Sequence, residues 1–111
     1  MQMTQSQHGT ITVLTVSGRI DTSNYTEFEE QVIAKIDEEH KRIVFDFTDL
    51  VYLSSAGLRA LLKISQELTQ VGGQIAYTSV SEYIADIFKI AGFSKVYRFF
   101  DSAEEALKYL K

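Results

Sequence analysis

Two histidines and no cysteines are all that this chain of 111 residues offers as neutral-pH bases and soft nucleophiles. The lack of cysteine excludes disulfides, thiolate zinc sites and cysteine nucleophiles. His8 falls in a predicted turn, and His40 follows Asp37-Glu38-Glu39 near a predicted helix end, so both read as surface residues. A hydrolase needs a nucleophile, a base and a group that orients the base. The G-x-S-x-G elbow is missing, because Tyr52-Leu53 and not a glycine precedes Ser54-Ser55-Ala56-Gly57. No G-x-x-x-x-G-K-[ST] loop occurs, and Gly72-Gly73 follows a predicted helix instead of preceding one. The carboxylates are spaced like a solvated helical face. We expect no catalytic residue, no metal ligand set and no cofactor.

One hydroxyl pair has more informative surroundings. Asp46-Phe47-Thr48-Asp49-Leu50-Val51-Tyr52-Leu53 leads from a short apolar run into Ser54-Ser55-Ala56-Gly57-Leu58-Arg59, where helical spacing begins. The first N–H groups of a helix have no intrahelical partner, so a serine here can accept a bond as an N-cap, and we place that cap at Ser55. Gly57 is less easily explained, since glycine within a helix costs about 0.8–1 kcal/mol relative to alanine. Its lack of a side chain suggests a close approach that leaves the serine hydroxyl open to a partner. Arg59, at i+4 from Ser55, either neutralises an anion there or is simply solvated. Asp46 and Asp49 read most simply as turn caps.

These residues need elements to hold them in place. Thr10–Ser17 is rich in β-branched residues and predicts a strand, with His8-Gly9 turning it back on a weaker strand at Met3–Gln7. After Gly18-Arg19-Ile20-Asp21 the period becomes helical. Tyr25, Phe28, Val32 and Ile36 recur on one face, with Asn24 and Glu27 forming a box-like start and Glu27, Glu29 and Glu30 a solvated face. Arg42–Phe47 suits a central strand buried on both sides. A second helix from Ser55 shares Leu58, Leu61, Leu62, Ser65 and Leu68 on one face and stops at Gly72-Gly73. Gln74–Thr78 is the next strand. Ser81 caps a third helix carrying Ile84, Ile87, Phe88 and Ala91, ended by Gly92. Val96–Phe100 predicts a short strand, in which Tyr97, Phe99 and Phe100 supply core and edge packing. Ser102 with Glu105 boxes a last helix with Ala106, Leu107 and Leu110. Strands alternating with helices favour parallel pairing. The fold class is α/β: a mixed, mostly parallel sheet opened by an N-terminal hairpin, with about four helices packed on it.

Composition narrows the function class. Hydrophobic residues make up 45% and charged residues 23%, as in ordinary globular chains, and we expect a single domain over 1–111. No apolar run reaches the roughly 20 residues of a membrane span. The N-terminus lacks a basic-then-apolar signal pattern, so we expect a cytoplasmic protein without membrane insertion. Net charge is −4, and the longest basic cluster, His40-Lys41-Arg42, sits beside acids, so direct nucleic-acid binding is not expected.

Taken with its spacing to Ser54-Ser55-Ala56-Gly57-Leu58, the Gly18-Arg19-Ile20-Asp21 segment resembles the STAS-domain family, in particular the bacterial anti-sigma factor antagonists. The resemblance runs over nearly the whole chain. In that family the turn reads acidic-Ser-Ser/Thr-Gly-Leu, and its first hydroxyl is phosphorylated. Aligned on Gly57-Leu58, the resemblance implies phosphorylation at Ser55, with Ser54 in the acidic position as an alternative acceptor and Ala56 in place of the second hydroxyl. It places Asp21 near the phosphosite, and Thr22 and Ser23 beside it. Asp21, Thr22, Ser23, Ser54, Ala56, Gly57 and Arg59 form the implied partner-binding set. The implied function is a partner switch. The unphosphorylated chain binds an anti-sigma factor that is also a serine kinase, phosphorylation releases it, and a metal-dependent serine phosphatase restores the binding form. Nucleotide and metal belong to those partners, and the chain itself is expected as a monomer or weak dimer. The alternative is a STAS subunit of a lipid-transport or sensory assembly, with Ser55 only a cap.

Overall fold

The computed structural model describes residues 1–92 and 98–110. Strands β1 (Gln2–His8) and β2 (Ile11–Ile20) form the opening antiparallel hairpin, in register from Gln2↔Ser17 to His8↔Ile11. Helix α1 (Tyr25–Ile33), β3 (Arg42–Asp46), β4 (Leu50–Leu53), α2 (Ser55–Gln70), β5 (Gln74–Thr78), α3 (Glu82–Ile90), β6 (Arg98–Phe100) and α4 (Ala103–Leu110) follow. The sheet order is β1-β2-β3-β5-β6, and β4 pairs with the far end of β2. Among the described residues every pairing except β1 with β2 is parallel, as the strand–helix alternation requires. Residues 96 and 97 of the expected last strand, Tyr97 included, lie outside the described residues.

Alternation along the strands sorts the core into two layers. Leu14 and Val16 of β2, Ile43 and Phe45 of β3 and Tyr77 of β5 face α1, α2 and α3. Ile11, Val13, Val44 and Ala76 face Ala106 and Leu110 of α4. The expectation that β3 is buried on both sides holds for this reason. Phe45 stands among Phe28, Phe47 and Tyr77 at ring-centroid distances of 6.1, 5.4 and 5.6 Å. Phe99 stacks on Tyr77 at 5.4 Å, and Phe100 meets Tyr109 at 5.3 Å, the packing roles expected of them.

Helix ends follow their residues. Ser81 and Ser102 accept from the backbone N–H groups of Ile84 and Glu105. At the end of α2, Gly72 N–H donates to Thr69 O and Gly73 N–H to Leu68 O, the paired bonds of a Schellman stop. Several expectations need correction. Helix α1 ends at Ile33, so Ile36 lies beyond it, and Ala91 is the exposed C-cap of α3 and not part of its stripe. Strand β4 is additional to those read from the sequence, where Leu50–Leu53 was part of the turn. The buried stripe of α2 runs through Ala60, Leu61, Ile64, Ser65 and Leu68, while Leu62 is 41% exposed. Asn24 holds the N-cap position of α1 without capping it. Its amide instead accepts from Asp21 N–H and donates to Arg19 O, tying the end of β2 to the start of the helix.

Candidate functional site

The serine turn and the Gly18–Asp21 segment meet because β2 outruns β3. Beyond Thr15 the parallel partner of β2 changes from β3 to β4, and the register shifts between Gly18 and Arg19. Gly18 makes this irregularity with φ +89, a conformation that side chains other than glycine resist, and its N–H donates to Asp49 O at 2.9 Å. Asp46 takes the turn role expected of it, whereas Asp49, among the described residues, takes part only through its backbone. Asp46 Oδ1 accepts from both the backbone N–H and the hydroxyl of Thr48, and Asp49 holds Gly18 through its carbonyl. The final pairs are Arg19 with Tyr52 and Ile20 with Leu53, and Ser54 N–H then donates to Ile20 O at 2.9 Å. Asp21 therefore leaves β2 at the level where Ser54 enters α2.

The cap itself is one residue earlier than expected. Ser54, extended at φ −81 and ψ 169, accepts from Gly57 N–H through its hydroxyl at 3.1 Å, so it and not Ser55 caps α2. Ser55 becomes the first residue of the helix, exposed, and its hydroxyl has no hydrogen-bond partner among the described residues. Ala56 and Gly57 point the other way. Ala56 is 2% exposed, and a Cβ on Gly57 would lie 2.6 Å from Leu53 Cδ1 and 2.9 Å from Ile20 Cγ2. Close packing of α2 on β2 and β4 thus explains the glycine, rather than access for a partner. Both residues are buried, so neither belongs to the exposed face of the turn.

Thr22 and Ser23 are exposed beside Asp21, and Arg59 is exposed one turn along α2 from Ser55. Asp21 Oδ1 accepts from the hydroxyl of Ser23 at 2.6 Å and its N–H at 2.9 Å, while Arg19 Nε lies 3.7 Å from Oδ2. The Ser23 bonds, aided by the Arg19 charge, hold the Asp21 carboxyl below its ordinary pKa. The loop's support from this carboxylate is therefore complete near neutrality and is lost as pH falls through the depressed folded-state value. In an NMR titration the Ser23 amide should report a pKa below that of an ordinary aspartate, and Asp21→Asn should abolish the transition. A value at or above the ordinary one contradicts this geometry.

Four residues at this end of the molecule went unassigned as site residues from sequence. The Arg19 guanidinium sits 4.2 Å from the centroid of the Tyr52 ring, a cation–π contact that braces the turn. Val51 on β4 and Leu62 on α2 expose 65% and 41% of their surface. Ser55, Arg59, Leu62 and Gln66 then follow one another along an exposed face of α2 at helical spacing. The apolar Leu-Val-Tyr-Leu run between Asp49 and Ser54 was the available signal for β4 and its outward Val51.

The STAS domain model matches residues 2–106, and the chain belongs to the STAS-domain family. It is 28% identical over 111 residues to BtrV of Bordetella bronchiseptica, a candidate anti-sigma factor antagonist, covering all of this chain and 96% of that one. It is 26% identical to the anti-sigma-F factor antagonist RsfB of Mycobacterium tuberculosis over 95% of this chain and 85% of RsfB. Among solved structures, unphosphorylated SpoIIAA, an anti-sigma factor antagonist, superposes with a TM-score of 0.85 at 18% identity, covering 98% of this chain and 96% of that one. The phosphorylated form of SpoIIAA from Bacillus superposes at 0.78, also at 18% identity, over 99% and 100%. The expected fold and family are thus both met.

Proposed function

We propose that this protein is an anti-sigma factor antagonist switched by phosphorylation of Ser55. Unphosphorylated, it binds an anti-sigma factor that is also a serine kinase; phosphorylated, it releases that partner, and a metal-dependent phosphatase resets it. The relatives' names support the antagonist role, and the division of labour between the two serines supports the switch. Ser54 is committed to the cap, whereas the Ser55 hydroxyl is exposed and unbonded among the described residues. That free hydroxyl is the single observation on which the choice of Ser55 over Ser54 rests.

The same position suits a phosphate. A phosphoserine carries about −1.5 to −2 charges at neutral pH, and a helix N-terminus favours an anion by about 0.3–1 kcal/mol. The modified protein keeps its fold while presenting a new dianion on its contact surface. Asp21, Thr22, Ser23 and Arg59 form the rest of that surface in this reading, with Ala56 and Gly57 buried beneath it. Exposed Val51 and Leu62 give it an apolar component that a partner would cover.

The test is incubation with the candidate kinase and ATP, followed by peptide mass spectrometry. Modification is expected on wild type and on Ser54→Ala, and lost in Ser55→Ala. Loss only in Ser54→Ala would move the acceptor by one residue. Absence of phosphate from both serines across several cognate kinases would favour the reading as a non-phosphorylated subunit of a lipid-transport or sensory assembly.

A further inference from the structure

The outer edge of β1 is the least defended part of the sheet. Strand β1 ends the sheet order, and among the described residues nothing pairs with its outer side. Soluble proteins guard such edges with charge, proline, a bulge or brevity. Gln2-Met3-Thr4-Gln5-Ser6-Gln7-His8 has none of these: it is seven residues long, without proline or formal charge, and its register with β2 is unbroken. The neutrality extends beyond the strand. All eleven basic and fifteen acidic side chains of the chain lie from Arg19 onward, so the whole hairpin as far as Gly18 carries no charged side chain.

We propose that this edge pairs antiparallel with β1 of a second copy, extending the two sheets into one. The choice of a second copy rests on charge and on self-complementarity. With a net charge of −4, two copies repel overall, and the hairpin edge, free of charged side chains, is an approach that opposes no like charges. A two-fold axis at Gln5 sets Gln5 against Gln5, Thr4 against Ser6, Met3 against Gln7 and Gln2 against His8, with no like charges opposed. Gln7 and Ser6 are already engaged within their own hairpin, with Thr12 and His8, whereas the exposed Gln5 side chain has no such bond among the described residues. One strand per copy buries less than the roughly 1,200 Å² at the low end of stable interfaces, so the dimer is weak and concentration-dependent.

The geometry leaves the serine turn accessible. The paired β1 strands run antiparallel, so the two β2 strands also oppose each other, and the two Ser55-bearing ends face opposite directions. A dimer of this form is bivalent toward partners. The inference does not depend on phosphorylation.

Sedimentation velocity of the whole protein from about 10 μM to about 1 mM tests it, a span that detects the weak association expected of one strand pair. Wild type should move from the monomer toward twice its mass. Gln5→Lys and Gln5→Glu each place like charges across the axis and should weaken dimerisation at least tenfold, with unchanged circular dichroism. An equimolar mixture of the two should restore the dimer, because the opposed charges then attract. A wild type that stays monomeric throughout overturns the proposal. A dimer indifferent to both substitutions, or variants that do not recover on mixing, overturns it equally.

Discussion

Replacing Ser55 by glutamate is expected to weaken binding to the anti-sigma partner about a hundredfold while leaving thermal stability almost unchanged. Folding and contact respond differently to the new charge. Ser55 is the first residue of α2 and exposed, and the cap on that helix is made by Ser54. An acidic side chain in the first turn is favoured by the helix dipole, so the fold has no reason to resist it. At the contact surface the same charge must lose water and meet whatever the partner presents to a neutral hydroxyl. A hundredfold loss corresponds to about 2.7 kcal/mol, within the cost of one buried and unpaired charge. Isothermal titration with the cognate anti-sigma factor, beside a melting curve, checks both halves. Ser55→Ala should bind within a few-fold of wild type, since it removes the acceptor without adding charge. Full binding by the glutamate variant would place Ser55 outside the interface. A fall in melting temperature together with binding would make the effect one of folding.

The neighbouring serines show where sequence reading stops. Ser, Asp and Asn all cap helices well, so Ser54-Ser55 before an apolar periodic run fixes a helix start to within one residue. The choice between them depends on Ser54 being extended, which follows from its N–H bond to Ile20 O across β2 and β4. That pairing is tertiary, and β4 itself is four residues long, too short for its alternation to stand out. Asn24 departs from its expected role for the same reason: its local signal as a cap is sound, but the strand end beside it offers two backbone partners. Where the pattern was long, it sufficed. The β-branched run of β2, the doubly buried β3 and the serine caps of α3 and α4 all depend on local spacing that tertiary contacts reinforce. For Leu62, an apolar residue at a plausible helical position, the sequence does not say which side of the stripe is covered. Its exposure emerges only once α1 and β5 have packed on α2.

Gly57→Ala separates two explanations of this glycine with opposite signs. By helix propensity alone, alanine in the helix should stabilise the protein by about 0.8–1 kcal/mol. The packing predicts the reverse. The new Cβ would lie 2.6 Å from Leu53 Cδ1 and 2.9 Å from Ile20 Cγ2, and these two residues are only 2% and 0% exposed. Neither can yield without pressing into the core, and overpacking of this kind costs about 1–3 kcal/mol. The net expectation is destabilisation by up to about 2 kcal/mol after the propensity gain is subtracted. For a domain near this size, each kcal/mol lowers the melting temperature by about 4–8 °C. The clash should also appear as coupling. Leu53→Ala removes the nearer obstructing atom, so the double variant should be less destabilised than the sum of the two singles, by about 1 kcal/mol. Because Ile20 and Leu53 carry the pairing that holds Ser54 N–H on Ile20 O, the strain falls on the strand that sets the cap. Partner binding should then fall mainly as the folded fraction falls, and should recover at lower temperature. A Gly57→Ala variant that melts higher than wild type yet binds poorly would return the glycine to the partner surface.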